Sequence, residues 1–113
     1  MAGVVHIPWY ATLFRTERLA AALKEIAPVA LRYGATRYQI HQSRDDAYKF
    51  DHMIWFDSRD DWNRFWEGPE LVAFRARVSG WYQVPLLYVW YDELAADVVE
   101  PAVAEAAASA ASA

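Results

Sequence analysis

Apolar and polar residues alternate over four stretches of this chain and recur at helical spacing over two others. Residues 4–10 (VVHIPWY) put Val4, His6, Pro8 and Tyr10 on one face of a strand and Val5, Ile7 and Trp9 on the other. Both faces are largely apolar, which predicts burial on both sides, and Pro8 predicts a bulge or the strand's end. Thr16 is read as a helix N-cap with Glu17 in the first turn. Leu19, Leu23, Ile26, Ala30 and Tyr33 then form one stripe, kinked at Pro28 and stopped at Gly34. Residues 36–43 (TRYQIHQS) and 49–56 (KFDHMIWF) alternate again around the polar turn RDDAY, which predicts a hairpin with the first of the two strands at or near a sheet edge.

The run from Phe50 to Glu70, FDHMIWFDSRDDWNRFWEGPE, joins a strand, a cap and an aromatic-rich helix. Ser58 and Asp61 give a capping-box-like start, and Asp60 and Asp61 suit the positive end of the helix. Trp62, Phe65 and Trp66 form an apolar patch before Gly68-Pro69 breaks the helix. Leu71, Phe74 and Val78 continue the spacing up to Gly80. Residues 84–92 (VPLLYVWYD) read as the last strand, again apolar on both faces.

Strand, helix, strand, strand, helix, strand is the split βαβ order, so the fold class is α+β and ferredoxin-like, with a four-stranded antiparallel sheet. Residues 1–97 form the domain, and 98–113 an Ala/Ser-rich tail expected to be loosely ordered. Both helices cover one sheet face. The other is left apolar on three of four strands, which predicts a homodimer packed sheet to sheet.

Composition trims the functional classes. The chain has 113 residues, 56% apolar and 23% charged, a globular balance for one domain. The net charge of −4 without a basic run argues against a nucleic-acid partner. No stretch approaches the ~18 apolar residues of a membrane helix, and the N-terminus does not read as a signal peptide, so a cytoplasmic location is expected. Without cysteine there is no disulfide, thiolate metal site or Cys nucleophile. Three His without ligand spacing predict no metal, and four scattered Gly form no phosphate loop. The aromatic share of 16%, with six Trp and seven Tyr, fits a core and dimer interface, or the walls around a flat ligand.

The strand ending IWFDS, the capped helix RDDWNRFW and the break GPELVAF resemble the dimeric α+β barrel superfamily, in particular its antibiotic biosynthesis monooxygenase-like branch. The resemblance covers residues 4–92 in topology and 50–75 in motif. It implies a ligand pocket between the sheet and the helices, walled by Phe50, His52, Ile54 and Phe56, with Trp62 and Trp66 in the helix above. His6 and Tyr10, by similar parity, are expected to join that wall. The superfamily holds cofactor-free monooxygenases, haem-degrading enzymes, cyclases and members without known chemistry. Haem degraders carry an iron-ligating His after the Pro, and the matching position here is Arg75. That argues against haem and leaves Arg75 either to pair with a ligand's anionic oxygen or to sit on the helix surface.

Two readings follow. In one, the chain is a monooxygenase- or cyclase-like enzyme, independent of cofactors, acting on a small aromatic or polyketide-like molecule. His6 or His52 is then the general base, and Tyr10 or Tyr88 polarises a carbonyl. Phe56, Trp62, Trp66 and Arg75 complete the expected substrate-binding set. In the other, it is a non-catalytic dimeric binding or assembly protein that docks onto a larger partner through its tail or sheet edge, and its histidines are satisfied core residues.

Overall fold

The computed structural model describes residues 1–99 of the chain. Its elements are β1 (Gly3–Tyr10), α1 (Thr16–Ile26), a 3-10 helix (Ala27–Tyr33), β2 (Ala35–Gln42), β3 (Lys49–Phe56), α2 (Arg59–Trp66), α3 (Pro69–Arg77) and β4 (Val89–Asp92). The strands lie in the order β2-β3-β1-β4, and every neighbouring pair is antiparallel. This is the expected ferredoxin-like α+β fold, with β2 at one edge. The Ala/Ser-rich tail lies, from residue 100 on, outside the described residues.

Local chemistry accounts for most boundaries. Pro28 has no amide proton to continue the α1 ladder, and the chain tightens there into the 3-10 helix. Gly34, at φ 96°, closes that helix in the left-handed conformation that glycine adopts at least cost. Thr16 is not the cap of α1. It is the first helical residue, and Arg15 occupies the cap position without a side-chain bond. Ser58 does cap α2, its hydroxyl accepting from the Asp61 amide at 3.3 Å. Ser58→Ala should therefore lower the unfolding free energy by about 1 kcal/mol. A denaturant midpoint unchanged in that variant would show that the cap is not used. Gly68 caps α3 and lets Pro69 take its first turn, and the Tyr33 hydroxyl lies 2.7 Å from where a β-carbon at Gly68 would fall, too close to admit one without a shift. Tyr33 donates to Glu70 at 2.5 Å, which braces the break against the 3-10 helix. That bond holds the Glu70 carboxyl below the usual carboxylate range and Tyr33 above the usual tyrosine range.

One sheet face and the helices enclose the core. β1 supplies Val5, Ile7 and Trp9, and β3 supplies Phe50, His52, Ile54 and Phe56. Against them pack Leu19, Ala22 and Leu23 of α1, Trp62, Phe65 and Trp66 of α2, and Leu71 and Phe74 of α3. Each large side chain so buried is worth about 1.5–3 kcal/mol relative to exposure.

Two strand readings need correction. β1 is buried on one face only; Val4, His6 and Tyr10 on the other are half-buried. That second face is mixed rather than apolar, carrying Arg37, His41, Lys49 and Asp51 beside Val4, Met53, Trp55 and Tyr91. The last strand is shorter than residues 84–92. The return segment is anchored at both ends, Val89–Asp92 pairing with β1 and Tyr82 bridging to Ala11 just beyond β1. Between these anchors six residues (83–88) face four of β1 (7–10), so the excess loops out of the ladder. Pro85, which has no amide to donate, lies in that loop.

Candidate functional site

The two histidines expected on one pocket wall stand on opposite sides of the sheet. In the β1–β3 ladder Ile7 faces His52, while His6 faces Met53. Residues directly opposite share a face, so His52 belongs with the helices and His6 with the free face. Tyr10 goes with His6. The pocket wall expected to contain His6, Tyr10 and His52 together therefore does not form.

His6 instead meets Asp51, its Nδ1 donating to Oδ2 at 3.0 Å, with Tyr91 edge-on to its ring at 5.1 Å. The Tyr10 hydroxyl donates to Asp46 at 2.7 Å, which pushes Tyr10 above the usual tyrosine range and commits the proton that it would offer to a carbonyl. Asp51 was missed in sequence because its pairing with His6 crosses two strands and depends on their register.

His52 is 1% exposed. Burial disfavours its charged form and pushes it down to about 4, so it is neutral near pH 7. The Trp9 Nε1–H donates to its Nδ1 at 3.3 Å. Indole nitrogen is a donor only, so His52 Nδ1 is the acceptor and its one ring proton sits on Nε2. That Nε2 is buried and has no hydrogen-bond partner among the described residues. His52 therefore offers a dry N–H donor, not the lone pair that a general base requires.

The expected aromatic walls are present, but their rings pack against one another. Trp62 stacks on Trp66 at 5.0 Å and touches Phe56 and Phe65. Tyr88, from the looped-out segment, leans on both indoles at 5.3 and 5.2 Å. The volume between β3 and α2 is thus filled by side chains. Arg75 lies over the Trp66 ring at 4.1 Å and donates to the Trp66 carbonyl at 2.8 Å, so its guanidinium braces α2.

Open volume on the helix side lies elsewhere, between α1 and the edge strand β2. A cleft of about 140 Å³ is lined by Ala20, Lys24, Ile40, Gln42 and Phe50. It adjoins a broader depression along the β2 edge, lined by Lys24, Tyr38, Gln39, Ile40 and His41. Ile40 pairs with His52 across the ladder, and Gln42 with Phe50. His52 is thus the fourth member of the block of sheet positions that includes three of the cleft's residues. Phe50 was the one lining residue foreseen as a pocket wall. Ala20 and Lys24 are one helical turn apart, a spacing that could have marked the α1 side.

Comparison with known proteins adds to this geometry. No family model matches the chain, and no curated protein matches it in sequence. Solved structures do. A candidate antibiotic biosynthesis monooxygenase of Nitrosomonas europaea superposes with a TM-score of 0.75 at 24% identity, over 82% of this chain and 90% of that one. A protein of Mycobacterium tuberculosis gives 0.76 at 16% identity, over 87% and 100%. The chain shares with these structures its ferredoxin-like α+β fold. SnoaB of Streptomyces nogalater, a cofactor-independent oxygenase, shares this fold at a TM-score of 0.72 and 10% identity, over 84% and 95%. Among the described residues no helix is long and apolar enough to cross a membrane.

Proposed function

We propose that the chain is an enzyme of the oxygenase or cyclase kind, working without a cofactor on a small aromatic or polyketide-like molecule held between sheet and helices. The observation that carries this reading is His52, a neutral imidazole buried in the core, its Nε2–H unpaired among the described residues. A buried donor left without an acceptor costs about 1–3 kcal/mol. A ligand oxygen would recover that energy, and would recover more as negative charge builds on it during reaction. The shared fold with a cofactor-independent oxygenase supports the same reading. On the free face, Val4, Met53, Trp55 and Tyr91 form the apolar part of a surface that a second copy would cover. A homodimer is therefore part of the proposal.

A non-catalytic binding protein is the second reading. It is favoured by the filled space beneath α2 and by the prior commitments of Tyr10 and Arg75. Native mass spectrometry of the purified full-length chain separates the two when joined to oxygen-uptake assays with small phenolic compounds. The enzyme reading expects a species of twice the 13.0 kDa chain mass and turnover of at least one ring compound. A dimer that consumes no oxygen and converts no phenol or enolisable ketone in such a panel would establish the second reading. A monomeric mass at micromolar concentration would overturn the dimer.

A further inference from the structure

The turn between β1 and α1 carries an inference about where two copies of the chain meet, which rests on the homodimer proposed above. The Arg15 amide donates to the Thr12 carbonyl at 3.0 Å and closes a turn over residues 12–15. Phe14, its third residue, has a φ of 65°, and Leu13 before it has a negative one. That is the type II position which glycine or asparagine fills with little strain. A bulky aromatic residue holds it only at a cost. The described fold does not offset that cost, because Phe14 is 84% exposed and Leu13 63% exposed.

The tip is also held in place. The Thr12 amide donates to the Trp81 carbonyl at 2.9 Å, and its hydroxyl to the Gly80 carbonyl at 2.7 Å. The Ala11 amide donates to the Tyr48 carbonyl at 2.8 Å. Two apolar side chains thus stand in solvent on a braced frame, with little backbone left to order on contact. What they meet follows from what they adjoin. Leu13 and Tyr10 line one shallow depression, Phe14 lines another, and Tyr48 is common to both. The Tyr48 ring stacks on Tyr10 at 6.2 Å. Tyr10 belongs to the free sheet face that holds Val4, Met53, Trp55 and Tyr91. The tip is therefore continuous with that face through the stacked tyrosines. We propose that Leu13 and Phe14 are anchors that pack against a second copy of this chain. A two-fold dimer uses the tip twice, once from each copy, so one strained residue supplies two contacts.

The test compares the full-length chain with Phe14→Asn and Leu31→Asn. Asparagine tolerates the left-handed conformation, so the first variant keeps the turn and loses the ring. Leu31 is 50% exposed on the 3-10 helix, in the layer over the other sheet face, and serves as control. Sedimentation equilibrium should give Phe14→Asn a dissociation constant about 100-fold above the wild type, tenfold for each tip, and Leu31→Asn the wild-type value. Urea unfolding, at dilutions where the midpoint no longer depends on chain concentration, should show the Phe14→Asn monomer at least as stable as the wild-type monomer. A ring that serves the chain's own fold gives the reverse, a less stable monomer, and that result overturns the proposal. So does a Phe14→Asn dimer as tight as the wild type, or a Leu31→Asn dimer weakened as much; either leaves the homodimer itself standing. A wild-type chain that stays monomeric at micromolar concentration overturns homodimer and anchor together.

Discussion

Taking the protein from pH 7 to pH 4 should lower its unfolding free energy by roughly 3 kcal/mol through His52 alone. In the unfolded chain this imidazole has the ordinary histidine value of 6.5; in the fold, burial pushes it down to about 4. Between those values the unfolded chain binds a proton that the folded chain refuses. Stability therefore rises with pH across the window and levels off above it. Below about pH 4 both states are protonated and the penalty is constant. Glu70, held below its usual range by Tyr33, acts in the same direction, because stability from a depressed carboxyl is lost as pH falls. The His52 share is isolated by comparison with His52→Gln, whose amide can still accept from Trp9. Urea unfolding of both proteins at several pH values between 4 and 7 should show a steep loss in the wild type and a much shallower one in the variant. Equal slopes would mean that His52 is solvated in the fold.

The fold was legible because its signals are local. Ser58 with Asp61, the Gly68-Pro69 break and the Gly34 terminator each act within a few residues, and each appears where spacing put it. Alternation within β1 and β3 was likewise correct strand by strand. What alternation cannot provide is the register between strands. A shift of one residue moves a strand's whole side-chain set to the other face. Here Ile7, not His6, lies across from His52, and that single offset separates the two histidines by the thickness of the sheet. The return strand fails for a related reason. Apart from Pro85 its residues suit a strand, but six of them must span the length of four, a mismatch visible only in the pairing. The cleft was hidden more deeply. Lys24 and Ile40 meet only because α1 lies back along the edge of the sheet, and nothing near either residue in sequence announces the other. The aromatic helix, conspicuous in the sequence, drew the pocket toward α2, where the structure uses those rings as core.

That difference can be put to a direct measurement at Trp62. If it were a pocket wall, its removal would leave the fold intact and alter ligand binding. The structure makes it a keystone instead. It is 2% exposed and contacts Phe56 of β3, Phe65 and Trp66 of its own helix, and Tyr88 of the looped-out segment. The buried neighbours are not free to fill the volume that an indole vacates. Phe56 and Phe65 are themselves fully packed, and Trp66 is held by Arg75. Trp62→Ala should therefore cost about 3–5 kcal/mol, a large part of the ~5–15 kcal/mol that a domain of this kind has in total. Tyr88→Ala should cost much less, since Tyr88 is 43% exposed and lies on the outside of the same cluster. Urea titrations of the two variants beside the wild type give both values. A loss below about 1 kcal/mol for Trp62→Ala, with wild-type cooperativity, would show that the rings beneath α2 are loosely held and would restore that space as a ligand pocket.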